Sequence, residues 1–573
     1  MYDPAALPGF LAADPGLVDS AFASGAPVER TICGPVALAT WCLEPAGSDA
    51  ITVPLSRVVR SAHGQVDDRR LTQSMHSDPR ELAVLLPPFA AVSGDGRGVA
   101  MVADSMGFRQ LFHSDPAVPG PPVLSTSAML AARVRGAGLD EAAWGVQSLL
   151  GWQLGQRTLF GGVTKLAPGA AARLGAEIEI AAAVPDDETP VSLGEAVEKA
   201  AALLRTSLNA LLDEQPEAVL QLTGGMDSRV LLSAVAPSRR RGLRAMTLGL
   251  PGHGDVDIAA GLAARYGLRH EVHGLADLDT IAADEAWEAC RAAAVQLDGM
   301  SDPVALAALG FGERSFEQGV RISGLGGEVA RGFYYVGPVT DRAVTERQAA
   351  QLAAWRMFAN ESVEDGMLDE DFAAWAHEVA ISEVVAGLRG DDWFRATDSL
   401  YLRQRMQRWA GATDTAVAYR RIVVNPMLDH AFIGLAQRLD PRDKANSRFL
   451  ASLQVRLDPE LGEIPLEGRL APAAYARPKR SQAAAKAALT GRKFARKAMQ
   501  RLRGANRAPA GGRVLSDKVV EHWRSRPELL ESVSRVRFVK PEWIEGVAAG
   551  RIQPRPSSVA FLTNVIVAAP PPA

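Results

Sequence analysis

The sequence predicts an α/β protein in two parts. Residues 1–190 read as a β-rich layered domain, and residues 191–573 as a parallel-sheet domain with a helical extension. Two observations carry this reading: short apolar runs punctuated by turn residues fill the first part, and strand–helix alternation sets in near residue 218. The length of 573 residues suits about three ordinary domains or two large ones. A hydrophobic fraction of 47% is enough for sizeable cores. Lys and Arg number 62 against 66 Asp and Glu, a balance that excludes a dedicated nucleic-acid binder. Three cysteines without a Cys-x-x-Cys pair exclude a disulfide framework and argue against a thiolate zinc site. No stretch approaches the ~20 uncharged apolar residues of a membrane span. The opening MYDPAALPGFLAADPGLVDS lacks a basic start followed by an apolar run, so no secretory signal and a cytoplasmic location are expected.

In the first part, apolar segments at 84–92 and 99–103 flank Ser-Gly-Asp-Gly-Arg-Gly, a hairpin signal. TLFGGVTKLAPGAAARLGAEIEIA adds short strands turned at Gly161-Gly162 and Pro168-Gly169. The polar segment 185–196 marks the boundary, and Ser192 is placed to cap the amphipathic run GEAVEKAAALLRTSLNALLDE. Beyond it, AVLQL (218–222) is apolar throughout, as a buried parallel strand requires. A helix over DSRVLLSAVA follows, then a strand over RAMTLGL, a helix over DIAAGLAARYG, a strand over RHEVHG and a later strand at RISGL. Residues 340–470 read as mostly helical. The segment Arg477 to Arg507 holds eleven Lys or Arg and no acid, which marks either a solvated basic helix or a docking surface for an acidic partner. The terminal VIVAAPPPA reads as frayed.

The sharpest motif is LQLTGGMDSRVLLSA at 220–234. A buried strand ends at Thr223, and Gly224 and Gly225 let the backbone turn tightly and approach a bound anion with no Cβ in the way. Ser228 and the free N–H groups of the helix that follows add donors, and the helix dipole favours negative charge there. Asp227 repels a bare phosphate, so its place in a phosphate loop implies a bridging divalent cation, Mg²⁺. No GxxxxGK[ST] occurs, which excludes a Walker-type loop.

This loop resembles the SGGxDS pyrophosphate loop of the ATP pyrophosphatases, which cleave ATP between its α and β phosphates. The surroundings resemble the synthetase domain of the glutamine-dependent asparagine synthetases. LGLPGHGDVDIAAGLAARYGLRHEVH is similar to that family's second strand and helix, with Asp257 and His270 in matching places and Leu248 at the nucleotide edge. ISGLGGEVARGFYY is similar to SGxGADExxGGY, which puts Ser323 and Gly324 beside the nucleotide and makes Glu328 the second metal-binding carboxylate after Asp227. RRIVVNPMLDHAFIGLAQRLDPRDK is similar to the family's VRVPFLD segment, and FAAVSGDGRGVAMVADSMGFRQLFHS and TLFGGVTKLAPGAAARL to its glutaminase domain. The resemblance implies an Ntn-hydrolase-like first domain and an ATP pyrophosphatase second domain. It implies ATP and Mg²⁺ as cofactors and a reaction in which a carboxylate is adenylated and then attacked by ammonia or an amine. The family's catalytic lysine is matched best by Lys479 in Arg-Pro-Lys, and next by Lys444 in RDKANSRFL.

Two departures bear on mechanism. A glutaminase of this type uses an N-terminal Cys, whereas here Tyr2 follows Met1, and Cys33-Gly34 offers such a start only after a long cleavage. No NGExYN-like segment for glutamine is found, so the first domain is expected to lack glutaminase activity. The position after Ser323-Gly324 carries Leu325, where asparagine synthetases carry Glu and β-lactam synthetases Tyr, and an aliphatic side chain takes no proton. Either the amine arrives neutral, or another group, such as a carboxylate near Asp298 or Asp302, serves as the base. Alternatives left open are a macrolactam or β-lactam type of synthetase, which the lasso-peptide cyclases resemble, a glutamine-hydrolysing enzyme processed at Cys33, and an inactive nucleotide-binding scaffold.

Overall fold

The computed structural model describes residues 8–22, 26–42, 51–57, 59–249, 254–274, 278–314, 319–359, 361–478, 511–534 and 536–569. Its first part holds two antiparallel sheets. One has the order β11-β9-β10-β1-β3-β2, with β1 at Gly9–Ala13, β2 at Glu29–Cys33, β3 at Val36–Trp41, β9 at Phe112–Ser114, β10 at Leu124–Ser125 and β11 at Val163–Lys165. The other has the order β13-β12-β8-β7-β4, with β4 at Ile51–Pro54, β7 at Ala90–Asp95, β8 at Gly98–Ala103, β12 at Ala171–Leu174 and β13 at Ile178–Ala181. A two-stranded ribbon, β5 (Arg60–Ser61) and β6 (Gly64–Gln65), lies apart.

The alternation along each strand assigns its residues to layers. Phe10 and Ala12 of β1 join Val92 of β7 and Val99 and Met101 of β8 in a core between the sheets. Leu11 and Ala13 point the other way, into a core with the helices Ala128–Arg135 and Glu141–Leu150. Ala91, Ala100 and Val102 turn outward from the second sheet, against Leu71 and Met75 of the helix Asp68–Ser77. The result is helix on sheet on sheet on helix.

The second part is built on a parallel sheet of order β16-β15-β14-β17-β18, with β14 at Val219–Gln221, β15 at Arg244–Leu248, β16 at Arg269–His273, β17 at Arg321–Ile322 and β18 at Val423–Val424. The helix Leu193–Glu214 begins at the expected cap, where Ser192 Oγ accepts from the Glu195 N–H at 3.3 Å. Its apolar stripe, from Ala196 through Leu204 to Leu212, packs on the sheet core. From β14 the chain moves to β15 and β16 on one side, while β17 and β18 lie on the other. The carboxyl ends of β14 and β17 therefore flank a topological switch point, where open α/β sheets hold their ligands.

Two expectations are corrected and a third is borne out with a refinement. The apolar run 84–92 is not a strand over its length: Pro79–Val84 is a 3₁₀ turn, and Pro87 and Pro88 have no N–H to give a ladder, so β7 begins only at Ala90. The terminal residues are not frayed as far as Ala568. They complete the helix Pro556–Ala568, with Val565 fully buried among Trp144, Trp287 and Trp523 of the core shared with the first part. The helical stretch 340–470 contains two π-helical segments, Ala353–Met357 and Tyr401–Ala410. Among the described residues, no helix is long and apolar enough to cross a membrane.

Candidate active site

Beyond β14, Leu222 and Thr223 carry the chain to Gly224, Gly225 and the helix Met226–Ala234. Gly225 is the cap residue and brings no side chain, so no capping oxygen competes for the first N–H groups of that helix. The loop is held by its own hydroxyls. Thr223 Oγ1 accepts from the Gly225 N–H at 3.1 Å, and Ser228 Oγ accepts from the Thr223 N–H at 3.0 Å. The Gly224 N–H donates to Asp255 Oδ1 at 2.9 Å. Asp255, not Asp257, is thus the acid of the helix Gly254–Tyr266 that meets the loop. The sequence Gly-Asp-Val-Asp places both acids in the first turn, so composition alone does not choose between them.

Arg229 is fully buried and donates to Ile464 O at 3.0 Å and Pro465 O at 2.7 Å. This clamps the segment 464–469 over the loop, where the Glu467 N–H donates to Gly224 O at 3.3 Å. On the strand side, Thr247 Oγ1 donates to Leu222 O at 2.7 Å and so is left to accept from His270 Nε2 at 2.8 Å. His270 therefore supports the floor of the loop, and Leu248 ends β15 beside it.

The second loop leaves β17 through Ser323, Gly324, Leu325 and Gly326 into the 3₁₀ turn Gly327–Arg331. Ser323 is tied back by its N–H to Val424 O at 3.0 Å. This loop lies directly on the first. A Cβ on Gly324 would stand 3.0 Å from the Ser228 nitrogen, and one on Gly327 only 2.4 Å from Asp227 Oδ1. Gly327→Ala is accordingly expected to lower stability by about 1–3 kcal/mol, the usual range for overpacking. Chemical denaturation measures this, and an unchanged midpoint means that the two loops separate freely.

Asp227 and Glu328 are brought together by Arg331, whose Nη2 lies 2.9 Å from Glu328 Oε1 and 3.4 Å from Asp227 Oδ2. Asp227 Oδ1 is buried and has no hydrogen-bond partner among the described residues. Burial pushes the Asp227 carboxyl up to about 7; Arg331 opposes the rise and Glu328 adds to it. Two converging carboxylates, one with an orphaned buried oxygen, fit a hard divalent cation. Among the described residues no group of three or more acids, histidines or cysteines is placed to hold a metal ion.

A family model for asparagine synthase matches residues 199–528, more than half of the chain. The chain belongs to the asparagine synthase family. No curated protein matches it. The family assignment carries ATP-dependent amide synthesis, and the matched span contains both glycine loops.

Next to the acids stands an aromatic wall. Phe333 stacks on Tyr401 with ring centroids 4.4 Å apart, and Tyr334 meets Tyr401 edge-on at 5.6 Å. The Tyr401 hydroxyl is raised by burial and then by Glu328, which places the ring beside the acids. Lys444 is 1% exposed and its ammonium pairs with Asp398, which also accepts from Tyr335 Oη at 2.6 Å. Lys479, with the basic segment from residue 479 onward, lies outside the described residues, as does Tyr2.

Neither substitute base is free. Asp298 accepts from Ser127 Oγ at 2.6 Å and from the Met129 N–H at 3.1 Å, joining the two parts of the chain. Asp302 caps the helix Pro303–Gly312 by accepting from the Val304 and Ala305 N–H groups. Sequence reasoning missed Arg331, Arg229 and Asp255. Only Arg331 carried a local signal, three residues after Glu328 in a turn bounded by glycines.

Proposed function

We propose that the chain activates a carboxylate with ATP as an acyl-adenylate, releases pyrophosphate, and transfers the acyl group to ammonia or an amine without a glutaminase of its own. The observation that carries this is the convergence of two glycine loops on Asp227 and Glu328 at the switch point of a parallel sheet. The first loop and the uncapped helix N-terminus bind the phosphates. Asp227 and Glu328 would hold Mg²⁺, which when bound would supply positive charge to the phosphates. The substrate oxygen attacks the α-phosphorus. The bond from the α-phosphorus to the bridging oxygen breaks and pyrophosphate leaves. The amine nitrogen then attacks the acyl carbon, AMP departs with its phosphate oxygen, and one proton is released. Leu325 accepts no proton, so the amine is taken to attack in its neutral form. In this reading residues 1–190 are an Ntn-hydrolase-like domain that has lost its chemistry, and residues 191–573 are the synthetase.

The glutaminase reading is disfavoured by Cys33. It ends β2 between the two sheets, buried, with its Sγ 2.4 Å from where a Cβ on Gly94 would stand. Burial raises its thiol, the opposite of an activated nucleophile. Cleavage before Cys33 would also remove β1, which pairs with both β10 and β3. Glutamate release from glutamine is therefore expected at background, while carboxylate-dependent exchange of labelled pyrophosphate into ATP is expected to be measurable. Glutaminase activity that disappears in Cys33→Ala would reverse the first expectation, and ADP in place of AMP would remove the reaction class.

A further inference from the structure

Arg331 is not needed by the chemistry just described, yet it occupies the centre of the site. The turn Gly327–Arg331 is 3₁₀, so residues three apart eclipse and Arg331 stacks over Glu328. A left-handed glycine bounds it at each end, Gly326 at φ 101° and Gly332 at φ 61°. Nη2 donates to Glu328 Oε1 at 2.9 Å and stands 3.4 Å from Asp227 Oδ2 as an ion-pair contact. A guanidinium matched to a carboxylate normally uses its fork, with two parallel bonds to one acid. Here it acts instead as a single positive centre between two acids. It also leaves Asp227 Oδ1 without a partner.

We propose that Arg331 is an internal cation that occupies the place of the divalent metal in the nucleotide-free protein and yields it when ATP arrives. The inference rests on the reading of Asp227 and Glu328 as metal ligands. With both acids ionised, Arg331 leaves the trio one negative charge, so a dication arriving alone gains little while displacing a guanidinium from two carboxylates. With ATP present, the triphosphate supplies further oxygens to the metal and accepts the released guanidinium. Metal and nucleotide binding are thereby coupled through one side chain, and the coupling is reciprocal. Removing the internal cation frees both acids and is expected to tighten metal binding in the absence of nucleotide.

Mn²⁺ is the probe, with its free concentration read by electron paramagnetic resonance on the full chain. Nucleotide-free wild type is expected to bind Mn²⁺ weakly, with Kd above ~1 mM, the weak end of oxygen-ligand sites. Arg331→Gln is expected to bind it at least ~10-fold tighter, a gain of about 1.4 kcal/mol. Arg331→Lys, which keeps a positive charge, is expected to stay near the wild type, and adding Asp227→Asn to Arg331→Gln is expected to abolish the gain. An unchanged or weaker affinity in Arg331→Gln, while Mn²⁺–ATP binding to wild type still requires Asp227, overturns the internal cation and leaves the proposed function standing. Mn²⁺–ATP binding that is indifferent to Asp227→Asn overturns the metal site itself. Should Arg331→Gln fail to fold, the wild type still decides: Asp227-dependent Mn²⁺ binding well below 1 mM without nucleotide contradicts the proposal.

Discussion

Asp227→Asn is expected to lower ATP–pyrophosphate exchange at least ~100-fold, about 2.7 kcal/mol of transition-state stabilisation. The amide has the shape of the carboxylate and keeps an oxygen for polar contacts, so the glycine loops have no reason to move. What disappears is the charge that holds a dication against the phosphates. The same substitution is expected to leave folding stability unchanged or higher in the absence of nucleotide. Asp227 is a buried acid with an unpartnered oxygen, and desolvation of such a charge costs more than the nearby charges of Arg331 and Arg469 return. Arg331 keeps Glu328 at 2.9 Å when Asp227 is neutral. Activity and stability therefore move apart, as expected where a buried charge is retained for function. Exchange assays and chemical denaturation on one preparation check both halves. Unimpaired exchange removes Asp227 from the chemistry. Loss of fold with loss of exchange makes it a structural residue.

The glycine loop was legible in the sequence because its cause is local. An apolar run ending in Thr-Gly-Gly before an amphipathic segment specifies strand, tight turn and helix within fifteen residues, and β14 and the helix Met226–Ala234 stand there. The strand–helix alternation that follows placed β15, β16 and β17 for the same reason. The parts that did not read from the sequence depend on distant partners. Arg229 looks like any helical arginine until Ile464 and Pro465, more than two hundred residues away, turn their carbonyls to it. Lys444 sits in a polar stretch, RDKANS, whose composition suggests a surface. Its burial is decided by Asp398 and Tyr335, from two other segments. The run 84–92 misleads because hydrophobicity records burial, not hydrogen bonding. Leu85, Leu86 and Phe89 are buried as expected, while the two prolines between them end any ladder. The π-helical stretch Tyr401–Ala410, which carries Tyr401 to the acids, has no short sequence signature, since its turns differ from α-helical ones only in their register.

Lys444 and Lys479 are expected to fail in different ways when each is replaced by alanine. Lys444→Ala leaves the enclosed Asp398 carboxylate without its paired ammonium, with the Tyr335 hydrogen bond and the weaker pull of Arg395 remaining, and breaking a buried pair in this way costs about 3–5 kcal/mol. Its defect is thus expected in the denaturation midpoint, with turnover per folded molecule near that of the wild type. Lys479, by its place in Arg-Pro-Lys, is proposed to neutralise charge as the adenylate forms or is attacked. An interaction made only in the transition state lowers turnover and leaves ground-state affinity alone. Lys479→Ala is therefore expected to fold normally, to bind ATP within ~1 kcal/mol of the wild type, and to lose at least ~10-fold in single-turnover rate. Lys479→Arg keeps the charge but spreads it over a planar fork, and is expected to fall between the two. Equilibrium ATP binding, single-turnover kinetics and denaturation on the three variants separate the roles. A Lys444→Ala protein of wild-type stability without turnover, beside a fully active Lys479→Ala, transfers the catalytic role to Lys444. Asp398 would then be the group that holds the ammonium in place for the reaction.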